Sequence, residues 1–115
     1  MNLLKETLGI LKDNNKLESD VKWVGNDTHK TTWNKFKEIA DVNYDDGFGS
    51  AEVAVDLLIV GDNWWLERSE YDGNEQWEYK ELPKEPDNII ELKRLTGNYW
   101  CKLLDLNNKC IINIP

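Results

Sequence analysis

At 115 residues, 40% of them hydrophobic and 31% charged, the chain has the make-up of one folded domain and not of a disordered or fibrous protein. Its net charge of −8 is concentrated: residues 41–80 carry eleven acids against two bases, Arg68 and Lys80, while the rest is close to neutral. That acidity repels a phosphate backbone and disfavours direct nucleic-acid binding, and the longest apolar run, residues 57–60, falls far short of the ~18 residues a membrane span needs.

Residues 3–12 place Leu4, Leu8 and Leu11 on one helical face with Leu3 and Ile10 beside it, which predicts a first helix. Asn2 is its expected cap and Asp13-Asn14-Asn15 its stop. The stretch has no small-residue cleavage site, so it reads as an amphipathic helix and not a signal peptide; the expectation is a cytoplasmic protein with no membrane partner. Residues 17–25 suit a short strand or extended segment, with Val21 and Trp23 alternating against Lys22 and Val24 and Gly25 closing it. After a polar loop holding His29, Thr31 or Thr32 caps a second helix in which Trp33, Phe36, Ile39 and Ala40 share a face.

Residues 44–50, YDDGFGS, read as a loop, and residues 53–61, with β-branched Val53, Val55, Ile59 and Val60, as a strand. Residues 64–72 alternate, Asp72-Gly73 signals a hairpin, and residues 75–83 return until Pro83. Beyond the connector at 84–86, residues 87–97 fit a third helix, and residues 98–115 a terminal hairpin. The expected fold is therefore α+β: an antiparallel β-meander, about residues 53–82, packed by the N-terminal helices and followed by a C-terminal helix and β-hairpin. All of it is read as one domain, 1–115, with a core of Leu4, Leu8, Leu11, Trp23, Trp33, Phe36, Leu57, Ile59, one of Trp64 and Trp65, and Trp77.

Alternation sends Trp64, Leu66, Arg68, Glu70 and Asp72 to one side of the second meander strand and Trp65, Glu67, Ser69 and Tyr71 to the other. A two-residue loop would pair Arg68 with Trp77 and Leu66 with Tyr79; a three-residue loop would pair Ser69 with Trp77 and Glu67 with Tyr79. The adjacent tryptophans cannot share a face, so one enters the core. The other is either covered by the terminal hairpin or first helix, or stands as an aromatic anchor inside an acidic rim. Arg68 is expected to fix register by stacking on Trp77 or pairing with Glu70 or Glu78, ahead of any ligand role.

Little else carries chemistry. Cys101 and Cys110 read as free thiols, a disulfide across the last hairpin being the alternative; one His and no Cys-x-x-Cys give no zinc pattern. Asp45, Asp46, Asp56 and Asp62 lack the spacing of a calcium loop, Glu67 and Glu70 lie on opposite strand faces, and Ser50 and Ser69 have no recognisable His–acid arrangement. No phosphate loop and no cofactor motif occurs, and the expectation is a protein that is not an enzyme.

The stretches DVKWVG (20–25), Trp33 with Phe36 and Ala40, YDDGFG (44–49), DLLIVG (56–61) and above all WWLERSEYDG (64–73) resemble a family of small acidic proteins carried by phages and prophages of low-GC Gram-positive bacteria. The resemblance covers roughly residues 1–83 and does not extend over 84–115. It implies an accessory phage protein with no assigned chemistry, acting in the host cytoplasm by binding host machinery such as a nuclease or CRISPR effector. Charge and resemblance converge on a basic host protein as partner, engaged by Asp45, Asp46, Glu67, Glu70, Asp72, Glu75 and Glu78 with Trp65 or Tyr71 as anchor. The rival readings are self-association of the chain through exposed aromatics and a small metal-dependent enzyme.

Overall fold

The computed structural model describes residues 1–45, 50–87, 90–97 and 100–107, and the chain divides into two compact units, Met1–Leu82 and Pro83–Pro115. The first unit is α+β. It contains helix α1 (Leu3–Asp13), β1 (Trp23–Gly25), β2 (Lys30–Thr31), α2 (Trp33–Ala40), β3 (Leu58–Val60), β4 (Trp64–Tyr71) and β5 (Asn74–Glu81). Five strands make one antiparallel sheet in the order β2-β1-β3-β4-β5. The meander anticipated at 53–82 is thus extended by β1 and β2 beyond β3, and β3 itself is short: residues 53–57 run outside the sheet.

Local chemistry sets the helix ends. The Asn2 side chain accepts the Lys5 N–H at 3.0 Å, and Asn14 returns its backbone N–H to the Ile10 and Leu11 carbonyls. Thr32 accepts the Lys35 N–H at 3.1 Å and starts α2. The inward residues of α1 are Leu3, Thr7 and Leu11, spaced i, i+4, i+8. This face is rotated from the expected one: Leu4 is half-buried and Leu8 is 37% exposed. Thr7 takes the central place because its hydroxyl donates to the Leu3 carbonyl at 2.7 Å and accepts the Trp77 indole N–H at 2.8 Å. Trp33, Phe36 and Ala40 of α2 are buried, whereas Ile39 stays exposed. Val24, Tyr44, Ile59, Trp64 and Leu66 complete the core; Trp23 and Leu57, expected inside, are half-buried.

The β4–β5 turn has two residues, Asp72 and Gly73, at φ 52° and 83°, the left-handed pair that twists with the strands. Register follows, with Arg68 opposite Trp77 and Leu66 opposite Tyr79. At the other end of β4, Gly61 packs against Trp64 so closely that a Cβ would lie 2.2 Å from the indole.

In the second unit the described part of the helix anticipated at 87–97, residues 87 and 90–97, is not helical; among the described residues the helix is α3, Leu103–Asn107, inside the run read as the first strand of a hairpin. Asn107 accounts for the difference. Its amide oxygen accepts the Lys93 and Arg94 N–H groups at 2.8 and 2.7 Å, and its amide nitrogen donates to the Arg94 and Leu103 carbonyls at 3.0 and 2.8 Å. Those contacts engage 93–94 as a strand partner would and draw it out of an i→i−4 ladder, while Asp105 accepts the Lys102 N–H and opens α3. The return strand at 109–115, and Cys110 with its pairing to exposed Cys101, lie outside the described residues.

Candidate functional site

The two faces of β4–β5 treat charge in opposite ways. On the inner face Arg68, its side chain 3% exposed, lies over the Trp77 ring at 4.7 Å and the Tyr44 ring at 5.5 Å. Its guanidinium donates to Glu75 at 3.0 Å, to the Tyr44 hydroxyl at 3.1 Å and to Glu6 at 3.3 Å. Glu6 also accepts the Tyr44 hydroxyl and, at 2.9 Å, the Trp77 backbone N–H on the open edge of the sheet. Glu75 accepts the Glu52 and Val53 N–H groups at 2.7 and 3.3 Å and so ties β5 to the segment entering β3. Arg68, Glu6 and Glu75 thus each have a charged partner within the chain.

The titration behaviour follows. Burial would raise the Glu75 carboxyl, but the Glu52 N–H, Arg68 and the Val53 N–H outweigh it and hold the group below the usual range. Burial and then the hydrogen bond to Glu6 push Tyr44 up to about 12. Burial alone would lower Arg68, yet Tyr44, Glu6 and Glu75 keep it raised and charged.

The outer face is open. Trp65, Glu67, Ser69 and Tyr71 of β4 stand opposite Lys80, Glu78, Gln76 and Asn74 of β5, and none of these is buried. Trp65 donates its indole N–H to Glu67 at 2.7 Å. Glu67 and Glu78 face each other directly, a destabilising cross-strand pair of like charges. Lys80 pairs with Glu78 at 3.2 Å; among the described residues, Glu67 has no cation. The row continues across the sheet: Trp65 is opposite Val60, and Val60 opposite Trp23.

Trp65, Glu67 and Tyr71 share one face of β4, and the two-residue turn sets Glu78 opposite Glu67; Tyr71 is 80% exposed at the far end. Glu70 and Asp72 gather at the hairpin tip, where Glu70 accepts the Gly73 N–H at 3.2 Å. Glu75 does not belong to this surface: at 4% exposure it is committed to Arg68 and to two backbone amides. Arg68 pairs with neither Glu70 nor Glu78 but with Glu75 and Glu6. Asp45 is exposed in the loop after α2, and Asp46 lies outside the described residues. Trp23 and Val60 were missed as members of the face, because nothing in residues 23–25 signals pairing with residues 58–60.

Other chemistry is not assembled. Asp56 accepts the Asn26 amide at 2.8 Å and Asp62 pairs with Lys22 at 3.7 Å; among the described residues, no three of His, Cys, Asp and Glu converge as a cation site. A cavity of about 510 Å³ between α2, the β1–β2 hairpin and residues 52–57 is mainly apolar, and among the described residues none of the anticipated site residues lines it. Among the described residues no helix is long and apolar enough to cross a membrane. No protein-family model, curated protein or solved structure matches the chain.

Proposed function

We propose that this is a non-enzymatic binding protein that engages a basic partner protein through the outer face of β4–β5. The observation that carries the reading is the Glu67–Glu78 pair. The chain neutralises the largely buried Glu6 and Glu75 with Arg68, but on the open face it holds Glu67 and Glu78 directly opposite one another beside an aromatic side chain, with a single lysine, Lys80, on Glu78. Such a pair costs stability in the free protein and becomes favourable when a partner supplies the cation. Trp65 and Tyr71 provide the aromatic area on which binding energy concentrates. Joined to the resemblance of residues 1–83 to phage proteins, the reading becomes a phage-encoded protein of the host cytoplasm. It occupies the basic groove of a host nucleic-acid enzyme, a nuclease or CRISPR effector, and inhibits it.

The test is inhibition and capture of basic nucleic-acid enzymes by wild type and by Glu67→Lys. That substitution turns the repulsive pair into an attractive one but removes the acceptor of the Trp65 indole N–H, so an unchanged thermal midpoint of the variant is the control for its fold. Capture at low salt, weakened by added salt and abolished by the variant, supports the reading. Identical capture by both proteins, or a salt-insensitive dimer of the chain with no enzyme bound, overturns it.

A further inference from the structure

Three side chains on the outer face form a row across three adjacent strands: Trp23 on β1, Val60 on β3 and Trp65 on β4, each directly opposite the next. Neighbouring strands lie about 4.8 Å apart, so the two tryptophan positions are about 10 Å apart with the short Val60 between them. All three are only half-buried. A cation seated above Val60 is then about 5 Å from either tryptophan column, inside the ~6 Å reach of a cation–π contact.

The rings are free for such a guest. Trp33 stacks on Phe36, Trp64 on Tyr79 with Lys16 above it, and Trp77 under Arg68. Among the described residues, no ring or cation is stacked on Trp23 or Trp65. The hydrogen bond from the Trp65 indole to Glu67 fixes the ring and holds one carboxylate oxygen at its edge; among the described residues the other oxygen has no donor. The lysines beside the row are engaged elsewhere, Lys22 with Asp62 and Lys80 with Glu78.

We infer that this row is an arginine slot: a guanidinium presented by the partner lies over Val60 between Trp23 and Trp65 and donates to Glu67. The inference rests on the proposed binding role of the face and names the group it recognises. The chain already uses the same combination internally, where Arg68 lies 4.7 Å from the Trp77 ring and 3.0 Å from a Glu75 oxygen. Arginine fits better than lysine because its plane stacks on an indole, it is more weakly hydrated, and its fork reaches a carboxylate while the plane stays stacked. Lys80, opposite Trp65, is the built-in competitor for the acids.

The experiment titrates the full chain at low salt with oligo-arginine and oligo-lysine peptides of equal length, followed by the indole N–H resonances of Trp23 and Trp65. The arginine peptide is expected to bind at least about ten-fold more tightly and to shift both resonances. Trp65→Leu and Trp23→Leu each remove the preference but leave lysine-peptide binding, and Lys80→Gln, which removes the competing cation and keeps both tryptophans, tightens arginine binding. Equal affinity for the two peptides overturns the slot while leaving the acidic-face reading standing. Absence of binding by either peptide overturns both.

Discussion

Replacing Arg68 with methionine keeps the side-chain stem and deletes the guanidinium. The variant loses the bonds to Glu75, Tyr44 and Glu6 and the contact over Trp77, and it leaves Glu75 buried with no cation. Breaking a buried ion pair from one side costs about 3–5 kcal/mol, a large share of the roughly 5–15 kcal/mol that a domain has. At about 4–8 °C per kcal/mol for a unit of this size, Tm falls by roughly 12–40 °C. Urea unfolding followed by tryptophan fluorescence reads this directly, since Trp77 lies under the guanidinium. The loss should also depend on pH. In the wild type the Glu75 carboxyl is held below its usual value, so its contribution is complete above the unfolded pKa of about 4.3 and disappears as pH falls through the lowered folded value. In the variant, burial acts without the guanidinium, and protonation relieves the stranded charge. The gap between the two proteins therefore narrows from pH 7 towards pH 4. A loss below about 1 kcal/mol at pH 7, or a gap that does not narrow, would refute the view that this cluster is a mutually dependent ion network.

Thr7→Val keeps the shape of the side chain but strips the acceptor from the Trp77 indole N–H, and should cost about 1–3 kcal/mol in chemical denaturation; Thr7→Ser should cost less. Gly61→Ala places a methyl group 2.2 Å from the Trp64 ring and should cost about 1–3 kcal/mol with a shifted fluorescence maximum; an unchanged spectrum and Tm would contradict that packing. With Tyr44 pushed up to about 12, its contribution is complete below the unfolded value of about 10 and is lost as pH rises through 12. A tyrosinate absorbance titration should show a late-ionising fraction that Tyr44→Phe removes.

What could be read from the chain is whatever local chemistry determines. Asp72-Gly73 announced the hairpin, and Asn2 and the Thr31-Thr32 pair marked helix starts, because caps and turns are settled within a few residues. Alternation separated Trp64 from Trp65 before any tertiary contact was known. Thr7 was passed over because a lone threonine on a leucine-rich helix resembles a surface residue; its value comes from an indole 70 positions away. Glu75 looked like one more surface acid for a similar reason, since Arg68 lies on the other strand and the Glu52 amide in a distant loop. Residues 90–97 had a helical pattern, but Asn107 competes for the same backbone groups and a pattern does not reveal competitors.

The two side chains that join α1 to β5, Glu6 and Thr7, are separated from Trp77 by 71 and 70 positions. A ribosome adding about 5–20 residues per second needs roughly 4–14 s to cover that distance. Through that interval the 11-residue α1, below the length at which isolated helices persist, has no strand to hold it and flickers in and out of helical form. Nascent chains that stop short of residue 77 therefore present Leu3, Ile10 and Leu11 to whatever chaperone waits at the exit tunnel, and the protein becomes resistant to proteolysis only when its second long strand arrives.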